Sequence, residues 1–142
     1  MIVHKSISVA RPPDVAFKLF VDQMGEWWPK DTGHSFLGGN TTLVVEPKAG
    51  GHFYEKSLDN DDIYVIGEVL AYEPGTRVTF TWKHREWPDP TTVDIRFTAE
   101  GGGTRIDLKH EGWEKIGDTN MAAEYNGGWD LVLGFYERFV GK

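Results

Sequence analysis

From about Thr41 to Trp113 apolar and polar residues alternate in short runs broken by Gly and Pro, and from about Thr119 to Val140 apolar residues recur at steps of three and four. The first pattern belongs to half-buried strands, the second to a helix with one apolar face. Before both, Val3, Ile7 and Val9 alternate with His4, Ser6 and Ser8, which predicts a strand over Ile2 to Ala10. Arg11-Pro12-Pro13 ends it, and Pro suits a first helical turn because its missing N–H would have no partner there. Val15, Phe17, Leu19 and Phe20 predict a short helix to about Asp22. Met24-Gly25-Glu26-Trp27-Trp28-Pro29 predicts a second helical turn stopped by Pro29. Residues 30 to 40 hold three Gly and no period, and read as a loop.

Strands follow at Thr41 to Glu46 and His52 to Ser57, around the turn Lys48-Ala49-Gly50-Gly51, with a polar tip at Leu58 to Asp62. Ile63 to Tyr72 is apolar on both parities: it is either buried on both faces or bulged at Gly67, and the pattern assigns no inward face. After the turn Glu73-Pro74-Gly75-Thr76, Val78, Phe80, Trp82 and His84 alternate with Arg77, Thr79, Thr81 and Lys83. Arg85 to Pro90 is a loop. Val93, Ile95 and Phe97, then Ile106, Leu108 and His110, form two more alternating runs about the hairpin Gly101-Gly102-Gly103. One apolar and one charged face per strand predicts an antiparallel sheet with one side in water.

The closing helix carries Met121, Tyr125, Trp129, Val132, Leu133, Tyr136 and Val140 on one stripe. Gly127-Gly128 interrupts it, at about 1 kcal/mol per Gly relative to Ala. A bend or a closely approaching ligand would account for the pair, but close packing of the helix on the sheet is the expected reason. The chain reads as one α+β domain over residues 1–142, a curved antiparallel sheet wrapped around a long C-terminal helix. Such an arrangement is a container.

Composition narrows what it holds. Six Trp, five Tyr and eight Phe in 142 residues argue against disorder. The absence of Cys excludes disulfides and thiolate metal sites. A net charge of −7 with no Lys/Arg block disfavours nucleic acid and anionic membrane surfaces. No apolar run is long enough to span a bilayer and no signal peptide is evident, so the expected location is cytoplasmic. No His pair has metal-ligand spacing, and no dinucleotide fingerprint is present. Gly33-His34-Ser35-Phe36-Leu37 lacks the final Gly of a nucleophile elbow. No metal, cofactor or catalytic residue is assigned. What remains is polar groups on apolar faces: Glu55 shares the parity of Phe53, His84 that of Trp82, and His110 that of Leu108.

The order strand, two short helices, six strands, long helix resembles the helix-grip, START-like or Bet v 1-like (SRPBCC) superfamily. Glu46-Pro47-Lys48-Ala49-Gly50-Gly51-His52-Phe53-Tyr54-Glu55 is similar to its Gly-Gly hairpin. Gly67-Glu68-Val69-Leu70, Glu73 to Trp82, His110-Glu111-Gly112-Trp113 and Gly128-Trp129 extend the likeness over nearly the whole chain. Among its branches, the chain most resembles the family named for the C-terminal domain of the activator of the heat-shock-protein-90 ATPase.

That resemblance implies a pocket under the long helix for a small, largely hydrophobic molecule, bound without chemistry. Phe80, Trp82, Ile95, Leu108, Tyr125, Trp129 and Leu133 would supply apolar contact, and Glu55, His84 and His110 polar contact. Trp28 and Trp113 are further wall candidates. A second possibility is an interaction module of the co-chaperone kind, with a chaperone as partner and Trp27, Trp87 and the loop Arg85 to Pro90 as its exposed surface. A third is a cyclase- or aromatase-like enzyme, in which two of Glu55, His84 and His110 converge on a substrate.

Overall fold

The computed structural model describes residues 2–29, 34–117 and 120–141. Strand β1 (Val3–Val9) leads into α1 (Pro13–Phe17), a π-helical turn (Lys18–Asp22) and α2 (Met24–Trp27). Six strands follow: β2 (Thr41–Val45), β3 (His52–Ser57), β4 (Ile63–Glu73), β5 (Arg77–Trp82), β6 (Thr91–Glu100) and β7 (Gly103–Glu111). A 3-10 turn (Trp113–Lys115) precedes α3 (Met121–Val140). The predicted helix start at Thr119 and the loop positions 30–33 lie outside the described residues.

All strand pairs are antiparallel, in the order β1-β7-β6-β5-β4-β3-β2, so the last strand returns beside the first and the sheet curls into a half-barrel. Its concave face receives α3 through Trp129, Val132, Leu133 and Tyr136, all buried. This is the predicted helix-grip architecture. On the convex face, Arg77 and Arg96 both donate to Asp94, and Arg105 to Asp107. Burial pushes the Asp94 carboxyl up, but donation from Thr79, Arg96 and Arg77 outweighs it and holds the group below the usual carboxylate range.

Strand β4 resolves the ambiguous pattern. It is not buried on both faces: Ile63, Val65 and Leu70 are exposed, whereas Ile66 and Val69 are buried. Register slips between the pairs Phe53–Gly67 and Tyr54–Val65, and again between Val69–Phe80 and Ala71–Thr79. Each bulge flips the inward parity, which is why no single alternation survives. Gly67 is needed between them because a Cβ there would lie 1.7 Å from the Thr81 carbonyl oxygen.

One end of the concave face is filled by rings. Phe20 packs against Trp27 at 5.1 Å and Tyr136 at 4.6 Å, and Phe17 against Phe97 at 5.1 Å. The Tyr136 hydroxyl donates to the Ala16 carbonyl at 2.9 Å and ties α3 to α1. Trp27 and Trp87, expected at an exposed interaction surface, are both buried. The Trp27 indole N–H donates to the Leu19 carbonyl, and Trp87 packs on Trp113 and Tyr125. Both indoles belong to the core, because each finds an aromatic neighbour and loses water. Among the described residues no helix is long and apolar enough to cross a membrane.

Candidate functional site

At the other end of α3 the filling stops. A cleft of about 430 Å³ opens between the end of β5, the segment before β2 and the first two turns of α3. Trp28, Phe36 and Trp82 form its apolar wall. His34, Ser35, His84, Arg85, Glu124 and Tyr125 supply polar groups, and Gly128 supplies bare helix backbone.

The wall is held together by short-range packing. The Trp28 and Trp82 rings lie 6.0 Å apart, and Phe36 and Trp82 5.8 Å apart. The Trp28 N–H donates to the His34 carbonyl at 2.8 Å. Phe36 stacks on Tyr64 at 4.5 Å, while the Arg85 guanidinium covers the same Tyr64 ring at 4.8 Å and donates to the Phe36 carbonyl at 3.4 Å. Across the cleft, the Trp82 N–H donates to the Tyr125 hydroxyl at 3.0 Å. Burial pushes the Tyr125 phenol up to about 12, so near neutral pH it keeps its proton and is a donor.

Gly128 overturns one expectation. The Gly pair was to serve close packing on the sheet, yet among the described residues a Cβ at Gly127 would meet nothing within 4 Å, and one at Gly128 only the His34 ring, at 3.6 Å. Helix α3 runs unbroken through both. Neither glycine is packed against the sheet among the described residues.

The predicted site residues fall into three groups. Trp82, His84 and Tyr125 line the cleft together. Phe80, Ile95, Leu108 and Leu133 are buried in the core beneath it. Glu55, His110 and Trp129 are buried in hydrogen-bonded positions behind the wall.

His110 is fully buried among rings. Its Nδ1 receives the Trp129 N–H at 3.0 Å. An indole can only donate, so the imidazole proton is on Nε2, which lies 2.7 Å from the Thr91 hydroxyl. That hydroxyl in turn donates to the Trp82 carbonyl at 2.8 Å. Burial pulls the His110 pKa down to about 3, so the ring is neutral. It joins β5, β6, β7 and α3.

Glu55 is also fully buried. Its carboxylate accepts from the Ser35 hydroxyl, from the Phe36 N–H at 2.7 Å and from the Thr41 hydroxyl at 2.7 Å. It anchors the segment that carries Phe36, one wall of the cleft. Glu55 and His110 therefore spend their polar atoms on the scaffold, and neither converges with His84 on the cleft.

Sequence reasoning passed over His34, Ser35, Phe36 and Glu124 as site residues, placed Arg85 in a candidate interaction loop, and weighed a ligand at Gly128 only as the lesser explanation of the glycine pair. Only Gly128 carried a signal, an interruption with no stability rationale. Among the described residues no cluster of His, Asp or Glu could hold a metal ion.

Comparison with known proteins places the fold. No curated protein matches the chain. A protein of Mesorhizobium loti, MLL2253, superposes with a TM-score of 0.75 at 17% identity, covering 99% of this chain and 97% of that one. An AHSA1-like protein from Aeromonas hydrophila gives 0.67 at 19%, covering 99% and 92%. CalU16 from Micromonospora echinospora gives 0.66 at 21%, covering 98% and 74%. The Activator of Hsp90 ATPase homolog 1-like protein family matches residues 10–137, nearly the whole chain, and with the strand order and the long closing helix this shows that the chain belongs to that family, within the START-like, Bet v 1-like superfamily.

Proposed function

We propose that the chain binds a small, largely apolar molecule, without transforming it, in the cleft between β5, the segment 34–36 and α3. The observation that carries this reading is the open space at Gly128, faced by the rings of Trp28, Phe36 and Trp82. A volume of about 430 Å³ lies within the range of small-molecule sites, about 300–1,000 Å³. Aromatic walls contribute affinity by area removed from water, at about 25 cal/mol per Å². The Tyr125 hydroxyl and the His84 ring orient the occupant. The Glu86 amide donates to His84 Nδ1 at 3.3 Å, so a neutral His84 carries its proton on Nε2 and offers a second donor.

The enzyme reading expected two of Glu55, His84 and His110 to converge, and of these only His84 lines the cleft, which supports binding. Glu55 and His110 are engaged elsewhere. The test is a thermal-shift and tryptophan-fluorescence screen against fatty acids, polycyclic aromatics and polyketide-like compounds. Saturable hits that raise the melting temperature are expected. A screen in which no compound stabilises the protein or alters its emission contradicts the reading.

A further inference from the structure

The proposed function leaves the chemistry of the occupant open, and the charges around the cleft narrow it. In a chain of net charge −7, cations are the scarcer group. Arg77, Arg96 and Arg105 are each matched to a carboxylate on the convex face. Among the described residues Arg11, Arg85 and Arg138 have no ion-pair partner, and of these Arg85 lines the cleft, held from one side by the Tyr64 ring and by the Phe36 carbonyl. Glu124 lines the same cleft, yet the two charges do not meet. They flank one space, with the rings of Trp28 and Trp82 as its wall and the bare backbone at Gly128 as its opening.

A slot bounded by flat rings and by a helix turn that is bare at Gly128 suits a flat molecule. A pre-positioned guanidinium at one side suits an anionic group, with the N–H donors not used on the Phe36 carbonyl left for charge-assisted hydrogen bonds. Glu124 at the same cleft repels a second negative charge. Tyr125 and His84 add donors for an oxygen of the occupant, and neither adds an acceptor anion.

Resting on the binding reading above, we propose that the cleft is selective for flat aromatic monoanions, with the ring system against Trp28 and Trp82 and the anionic group on Arg85. The class includes aromatic carboxylates, sulfonates and ionised phenols. Neutral aromatics of the same skeleton bind more weakly, and dianions are disfavoured by Glu124.

The experiment uses two fluorescent probes of one skeleton on the full chain. These are 1-anilinonaphthalene-8-sulfonate, a monoanion, and N-phenyl-1-naphthylamine, which lacks the sulfonate. Each is titrated into the wild type, Arg85→Gln, Arg85→Lys and Gly128→Leu, with thermal melts to show that every variant folds cooperatively. The expected result is tighter wild-type binding of the sulfonate. Arg85→Gln should weaken the sulfonate about tenfold more than the neutral probe, Arg85→Lys should keep most of the preference, and Gly128→Leu should weaken both probes. If Gly128→Leu weakens both but Arg85→Gln reduces both equally, the anion preference is overturned and the cleft reading stands. If neither probe binds the wild type, or Gly128→Leu changes neither, the cleft reading fails and takes this inference with it.

Discussion

The two ends of the concave face are made from the same sheet and the same helix, yet rings pack the interior of one, leaving a groove of about 320 Å³ between the end of β1 and Glu137 to Gly141, while an aromatic-walled cleft opens at the other. At the solid end α3 presents Val132, Leu133 and Tyr136, and the short helices bring Phe17, Phe20 and Trp27 to meet them. At the open end α3 presents Gly128 beside Glu124 and Tyr125, and the loop segment brings His34, Ser35 and the partly buried Phe36. The curvature of the sheet does not decide which end holds a cleft. The side chains that the helix omits decide it. The polar groups follow the same division. Behind the wall, His110 and Glu55 have their partners within the protein, as burial requires. At the cleft, Arg85 and Tyr125 keep donor capacity directed at solvent-accessible space.

This contrast can be broken at several strengths. The largest effect is deletion of the residues after Gly117. It removes the long helix from the concave face, including Trp129, Val132, Leu133 and Tyr136, each worth about 1.5–3 kcal/mol on burial. The sum rivals the whole stability of a small domain, about 5–15 kcal/mol. Circular dichroism and a thermal melt should find no cooperative fold. A truncated chain that stayed monomeric and melted cooperatively would refute the grip.

Next is Tyr136→Ala at the solid end. Loss of a fully buried ring and of its bond to Ala16 should cost about 3–5 kcal/mol in urea denaturation. A near-neutral result would mean that this end is as loose as the other.

An effect of intermediate size is pH-dependent. The His110 pKa is about 3 in the fold against 6.5 for a free side chain. Above about pH 6.5 the ring is neutral in both states and adds no slope. Below that, the unfolded chain takes up a proton that the folded one refuses. Stability should fall by about 1.4 kcal/mol per pH unit from this group until about pH 3. Denaturation between pH 7 and 4 should show a shallower fall in His110→Gln than in the wild type. Equal slopes would place the ring in contact with water.

The smallest effect is Gly128→Ala. With the His34 ring at 3.6 Å as the one neighbour of the new Cβ among the described residues, the substitution should raise stability by about 0.5–1 kcal/mol through helix propensity. A loss of stability would mean that the glycine does accommodate close packing.

These effects also separate what was legible in the sequence from what was not. The architecture was legible because period-two runs such as Val93, Ile95 and Phe97 and the stripe of α3 each need one buried face, and one sheet with one helix satisfies them together. Strand β4 was not, because its two bulges break the alternation that periodicity reads. Part of the cleft was legible as well. Trp82 and His84 follow a strand's alternation, and Tyr125 lies on the helix stripe. Phe36 and Ser35 come from a segment with no period, so nothing local points them inward. Their placement depends on the carboxylate of Glu55, and only the fold brings that residue to them. The inward parity of Glu55 and His110 could be read, but their occupation by internal partners could not. It depends on Trp129, Thr91 and Thr41, which are distant in the chain.

The central claim is that one end of the grip receives a ligand and the other does not, and the six tryptophans report on both ends. Their indole N–H signals in a nitrogen-15 correlation spectrum, recorded during titration with 1-anilinonaphthalene-8-sulfonate or a screening hit, test this directly. The signals of Trp28 and Trp82, at the cleft, should move on saturation, while that of Trp27, locked onto the Leu19 carbonyl at the solid end, should stay in place. Movement of Trp27 with Trp28 and Trp82 unchanged would contradict the account.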